Sequence, residues 1–589
     1  MKRNVLLVSI PLLLLSSCQG GGGGAEEPKF TFKNVPYFQA HSSLIGEDKC
    51  IDLSKQEAST FPLAFLPGQP YMPYVKVSDY VKAFNNDASL IEGEQDDGKT
   101  YVINFVRKEN KFSFCFDSVN KQMIISGDYE SVLQEGVYTD YSSNAIEAKV
   151  TNGSIGNLNA PYALSYGQTE LSALSYGKET YAPLALLDSV FFKMLSVGTF
   201  FAYDRLYQYS DPSTFNKLKF IDKKGDTPYT IPEGMARLIE EEEMPMYLRR
   251  YNRDIITFVL DNYYGLKYAL DIKSVADYLK STTYYDDLIN ENPTVRANAI
   301  FNLFQRFNDG HSTVVPVTTA WGESASKNIP QSIIDTRETI ENALGASRAA
   351  VYKELGLKET DVRYSKDGTA AVFTLRKFEN YENYFDQKTG KPTVSIEEAM
   401  KEDTYLQSKA HFEEIDKKGG VKTVIIDMSI NDGGSSATMG SLLTLLSKDN
   451  KSMIYLQDIH TNAVNTVETR LDTNRDGKID SQDVTYGKYD IYLLVSPAAF
   501  SCGTAYPFFA DKQEFAKVIG QKPGGGECVL GQALFPSGQA CYHSSTMRVC
   551  YPEKDGYDYD EGGVTLYETF DYNEFYDLEK MLTKLKEGE

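Results

Sequence analysis

Ser501 is the first residue in this chain whose setting suggests chemistry. It lies in Tyr489–Phe509, YDIYLLVSPAAFSCGTAYPFF, where an apolar β-prone run ends at Ser496-Pro497. A small-residue turn and a helix-compatible stretch follow, so the pattern predicts strand, turn, helix. A serine at such a junction is exposed, and the next backbone N–H, that of Cys502, points where an oxyanion would form. The plain alternative is a helix N-cap, for which serine is a favoured residue. Three further stretches have types and contexts that could complement it. His311 sits in FNDGHSTVV, in a glycine turn after a helix; a lone histidine is more often structural, but its ordinary pKa of about 6.5 suits proton transfer at neutral pH. Gly433-Gly434 follows a buried strand in VIIDMSINDGGSSATM, where paired glycines serve a turn or let N–H groups approach a ligand. Glu561 precedes another glycine pair in DYDEGGV.

The order His311, Gly433-Gly434, Ser501, Glu561 resembles the tail-specific (C-terminal-processing) serine peptidase family over roughly residues 247–589. The strand and NDGG turn look like that family's D-L-R-x-N-x-G-G segment. IGQKPGGGEC stands in the place of its V-G-E-K-T-x-G-K-G segment. One departure is informative. The Ser–Lys branch takes its base from the second lysine of that segment, and the matching residue here is Gly526; Lys522 matches the non-catalytic lysine. A serine hydroxyl needs a nearby base, so the chain looks like the tricorn-like branch. That resemblance implies Ser501 as nucleophile, His311 as base and Glu561 as the residue orienting the imidazole, with Asp560 left open as the orienter. It implies an oxyanion hole from the N–H groups of Cys502 and of Gly433 or Gly434. The family's serine before the histidine is Gly310 here, so support for the ring is expected from Ser312 or Asp309. The implied fold is α/β, a ββα-superhelix (crotonase-like) peptidase domain, with protein or peptide substrates. No PDZ-like segment is recognisable between His311 and Ala370.

A second site reads independently of catalysis. Asp472, Asn474, Asp476, Asp480 and Asp483 supply oxygens at positions 1, 3, 5, 9 and 12 of a twelve-residue loop, with Gly477 at 6 and the Lys478 carbonyl at 7. This fits an EF-hand or dockerin-like calcium loop, with Asp in place of Glu at position 12. No second loop is found, so Ca²⁺ is expected as a structural staple at 472–483. A solvated acidic loop is the alternative. No catalytic metal is expected: there is no CxxC and the histidines are scattered.

The elements that must position these groups can be read from patterning. Strand-like runs recur at Ala370–Leu375, Thr423–Asp427, Met453–Leu456, Tyr489–Val495 and Ala516–Ile519, with helices predicted at Ala437–Leu446 and Ala505–Asp511. Residues 231–310 read as helical. Residues 30–230 read as an α+β accessory region rich in Tyr, Ser and Gly. Within it Gly68–Lys82 and Gly177–Phe191 share Tyr-x-Pro, a hydrophobic pair and an Asp, which suggests a duplicated strand-then-helix unit. The pair resembles the N-terminal-like domain of copper amine oxidases, without a histidine cluster and so without copper. The expected boundaries are 1–18, 19–29, 30–230 and 231–589.

Residues 1–18 carry Lys2 and Arg3, an apolar core and Leu15-Ser16-Ser17-Cys18, which looks like a bacterial lipobox. Cys18 is the expected lipidation site, followed by a Gly-rich tether to residue 29. The expected location is the extracytoplasmic face of a bacterial cell envelope. The formal charge of −22 argues against nucleic acid and against docking on anionic lipid. Six more cysteines leave disulfides open, with Cys541–Cys550 across a hairpin and Cys50–Cys115 as candidate pairs. Two rivals remain: a non-catalytic relative that binds peptides or small hydrophobic ligands, and a calcium-dependent surface adhesin.

Overall fold

The computed structural model describes residues 28–40, 50–52, 59–84, 91–96, 100–107, 110–117, 119–127, 146–156, 160–166, 169, 171–195, 198–202, 204–209, 219–221, 228, 243–315, 332–381, 384–386, 391–559 and 564–587. Cys18, Asp560 and Glu561 lie outside them. The molecule is a mixed α/β protein with a sheet-rich N-terminal accessory region. No helix among the described residues is long and apolar enough to cross a membrane.

The accessory region contains a seven-stranded and a five-stranded sheet. The two similar units form strand Pro73–Lys76 leading into helix Val77–Phe84, and strand Glu179–Pro183 leading into helix Leu184–Leu195. Their strands pair antiparallel, with Val75 opposite Ala182, so the similar sequences meet as neighbours in one sheet. Helices Met246–Tyr263 and Pro293–Phe307 contribute Leu248, Ile255, Val259, Ile300 and Phe304 to the same core as these sheets. Strand Ala148–Ile155, on the accessory side of residue 230, instead pairs with Val464–Leu471 and extends a sheet of the C-terminal body.

That body is organised on a six-stranded sheet. Its order is Arg363–Tyr364, Ala370–Thr374, Thr423–Asp427, Asp490–Val495, Lys517–Gly520 and Glu568–Thr569. All neighbours but the first pair are parallel. The central strands TVIID and DIYLLV are almost wholly buried, as a parallel sheet covered on both faces requires. Helices Thr404–Lys418, Ser436–Leu445 and Cys502–Lys512 pack against it, giving a core that includes Phe412, Leu443, Leu493 and Phe508.

The six cysteines among the described residues form no disulfide with one another. Cys541 and Cys550 do not face each other across a hairpin, because Ala540–Glu553 is one continuous strand. Nine residues along a strand separate them by roughly 30 Å. Cys50 and Cys115 stand on strands of different sheets.

Candidate active site

Three adjacent parallel strands, Thr423–Asp427, Asp490–Val495 and Lys517–Gly520, bring their C-terminal loops together, where open α/β sheets usually bind ligands. Ser501 is at the centre of this group. Its N–H donates to Gly525 O at 2.9 Å, and the preceding Phe500 N–H donates to Asn431 O at 2.9 Å. The turn is thus clamped between the two flanking loops. Ser501 starts helix Cys502–Lys512 in the N-cap position, but its side chain makes no capping hydrogen bond. Its backbone has φ 56° and ψ −123°, a region an L-residue occupies at a cost and one typical of strained functional turns. The hydroxyl is therefore held at a strand–helix elbow without being used to hold the helix.

The glycines explain how closely the loops approach. Gly433 has φ 99°, and a Cβ there would lie 2.8 Å from Ser501 Cβ. Gly526 has φ 94°, and a Cβ there would lie 2.9 Å from Ser501 N. The segment expected to carry the missing lysine does reach Ser501, but the contact leaves no room for a side chain. Asn431, fully buried, sets the opposite loop: its Nδ2 donates to Leu375 O and its Oδ1 accepts the Gly433 N–H, both at 2.9 Å. The Gly433 N–H is thus engaged within its own turn, and Gly434 beside it is exposed. Cys502 Sγ donates to Gly434 O at 3.2 Å, so these two residues lie side by side.

His311 arrives from the other side. Helix Pro293–Phe307 ends on Asn308 in the left-handed conformation (φ 48°), and strand Thr313–Val315 then pairs with Ala540–Glu553. Between them, Asp309 accepts the His311 N–H at 3.0 Å through Oδ1 and the Ser312 hydroxyl at 2.7 Å through Oδ2. These bonds shape the loop, while the ring's Nδ1 is buried and has no hydrogen-bond partner. The ring meets Phe500 edge-on, with centroids 4.9 Å apart. Gly310 has a spatial reason: a Cβ there would lie 2.4 Å from Phe500 Cζ. Burial pushes the His311 pKa below 6.5, the nearby Asp309 opposes this, and Arg337 adds to it. No hydrogen bond joins His311 to Ser501 among the described residues.

Residues 393–565 match the family model of peptidase family S41. The chain carries a peptidase family S41 domain. That places it, as an enzyme, among the serine-type peptidases. Among solved structures, one named as a peptidase from Parabacteroides merdae is similar at 15% identity and TM-score 0.38, covering 57% of this chain and 96% of its own. A lipoprotein from Streptococcus agalactiae gives 14% identity and TM-score 0.33, covering 58% and 96%. Mature CPAF complexed with lactacystin gives 12% and 0.35, covering 58% and 98%. No curated protein matches. The matched segment contains Gly433, Gly434, Ser501, Cys502, Gly526 and Glu561, while His311 lies before it.

Sequence reasoning passed over Asn431, Phe500 and Arg337 around the peptidase site. Asn431 had a usable signal, an Asn two residues before a glycine after a buried strand, which suits an Asx-turn. Phe500 and Arg337 had none, because their roles arise from packing between distant segments.

In the acidic loop, Asp472 accepts the N–H groups of Asp476 and Gly477 at 3.1 and 2.9 Å, and Asp483 accepts those of Thr473 and Asp480 at 2.7 and 2.9 Å. Asn474 and Asp476 accept N–H groups two residues on. These bonds fold residues 472–483 into a run of tight turns. Among the described residues, however, no three or more His, Cys, Asp or Glu side chains converge as a metal-holding group.

Proposed function

We propose that this peptidase hydrolyses peptide bonds through Ser501 as nucleophile, His311 as base and Glu561 as the residue that orients the imidazole. The observation that carries the reading is the elbow itself: a serine with positive φ whose hydroxyl caps nothing, pressed against glycines from two other loops. The unpartnered Nδ1 of His311 is the ring nitrogen that, protonated, would donate to a Glu561 carboxylate. Ser501 Oγ attacks the scissile carbonyl as its proton passes to the imidazole. The tetrahedral oxyanion takes N–H donors from Cys502 and Gly434, each worth roughly 10²–10³ in rate. Collapse breaks the C–N bond, the imidazolium protonates the departing amine, and water then hydrolyses the acyl-enzyme by the same proton route. The His311–Ser501 hydrogen bond is expected to form in the substrate complex, since catalytic hydrogen bonds are often long before the substrate arrives.

A fluorophosphonate probe tests this directly. Covalent labelling of Ser501 that disappears in His311→Ala is the expected result. Hydrolysis that persists in a clean Ser501→Ala preparation would falsify the assignment and favour the peptide-binding alternative.

The protein acts, in this reading, at the extracytoplasmic face of a bacterial envelope, tethered through lipid on Cys18. Metabolic labelling with an alkynyl fatty acid should mark the wild type and not Cys18→Ala. Ca²⁺ held by Asp472, Asn474, Asp476, the Lys478 carbonyl, Asp480 and Asp483 is proposed as a structural staple. The expected outcome is a rise in Tm on adding Ca²⁺, absent in Asp472→Ala/Asp476→Ala.

A further inference from the structure

Arg337 projects from helix Ser332–Glu354, a region that the catalytic reading leaves without a task. Its guanidinium lies over the Phe500 ring, 4.1 Å from the centroid. Phe500 is 4% exposed and directly precedes Ser501, so the cation is fixed against the residue behind the nucleophile. Its Cδ would be 3.5 Å from a Cβ at Gly524, in the loop whose next residue accepts the Ser501 N–H. Its charged surroundings include Asp432, beside the Gly433-Gly434 turn, and Glu338 and Glu341 on its own helix. None of these forms an ion pair with it, and Nε is buried without a hydrogen-bond partner.

A guanidinium has five N–H donors in a rigid planar fork and remains charged. Buried donors are almost always satisfied, and an exception needs an explanation. The fork fits the two oxygens of a carboxylate. We propose that Arg337 is a specificity-determining residue that binds a substrate carboxylate, from an acidic side chain or a C-terminus, in the subsite beside Ser501. The proposal rests on the reading of Ser501 as nucleophile for the place of that subsite; its carboxylate preference is measurable without turnover.

The experiment uses the full chain as Ser501→Ala, so that peptides bind without being cut. Octapeptide pools are compared in pairs: a single Glu against Gln at each position in turn, and the free C-terminal acid against the amide. The expected result is binding at least about tenfold tighter for the carboxylate member of one pair, the ratio of one charge-assisted hydrogen bond. The pair that shows it identifies side chain or C-terminus as the source. Arg337→Met in the same background should bring the ratio to about one, and Arg337→Lys should keep part of it. Equal affinities across every pair with Arg337 intact overturn the proposal, even if Arg337→Met does not fold. A carboxylate preference in a chain that hydrolyses nothing with Ser501 present would sink the catalytic reading and leave this one standing.

Discussion

Asp188 in the accessory region and His311 beside Ser501 are both titratable side chains moved off their usual pKa by burial, yet their surroundings differ. Asp188, 3% exposed, accepts the Thr199 N–H and hydroxyl and the Tyr209 hydroxyl. Its carboxyl is pushed up to about 7 by desolvation, against those hydrogen bonds. His311 is desolvated too, but its Nδ1 is left without a hydrogen-bond partner, and Arg337 Nε nearby is left the same way. The accessory carboxylate is closed in on itself, as a structural group should be. Around Ser501, unpartnered nitrogens coincide with a residue in a costly backbone region. Orphaned nitrogens and local strain at one place mark a site built to meet something else.

The comparison breaks most sharply at the serine. Ser501→Ala and His311→Ala should each lower kcat/KM for peptide hydrolysis by roughly 10⁴–10⁶-fold, the scale for losing a member of a nucleophile–base pair. Tm should stay close to the wild-type value, because the Ser501 hydroxyl makes no capping bond. A matching loss of stability would mean that the serine is structural, like Asp188.

Gly526→Lys restores the family residue and should lower activity by about 10²-fold, the cost of displacing a reacting group by roughly 1 Å. The new Cβ would sit 2.9 Å from Ser501 N in a backbone with φ 94°, so the elbow must shift before the amine could help. Turnover that rises in this variant and no longer needs His311 would show that the loop is ready for a Ser–Lys mechanism.

Much of this was legible in the sequence, and the residues show why. Thr423–Asp427 and Asp490–Val495 are continuous apolar runs, and they form adjacent parallel strands. The similarity of Gly68–Lys82 and Gly177–Phe191 gave two strand–helix units, although not that they would pair with each other. What stayed hidden depends on distant contacts. Gly526 reads as a missing lysine in one dimension and as a tight contact with Ser501 in three. Gly310 reads as a lost serine, and the Phe500 ring fills its space. The cysteine spacing suggested a hairpin because Ala540–Glu553 has no period or turn residue that reveals its length.

Titration tests the same contrast with smaller effects. The acid limb of kcat/KM should have its midpoint below pH 6.5, since burial and Arg337 both favour neutral imidazole in His311. Arg337→Met should move that midpoint upward.

Asp188 should leave catalytic titration alone and act on stability instead. Its folded pKa of about 7 is above the unfolded value of about 3.9. Between those values the folded chain keeps a proton that the unfolded chain has lost. Stability from this group is therefore fully present below pH about 4 and declines as pH rises to about 7. Melting curves across that window should show wild-type Tm falling by a few °C relative to Asp188→Asn, whose neutral amide carries no such slope. A parallel pH dependence in the two proteins would mean that the three donors keep Asp188 ionised, and the contrast with His311 would then rest on hydrogen bonding alone.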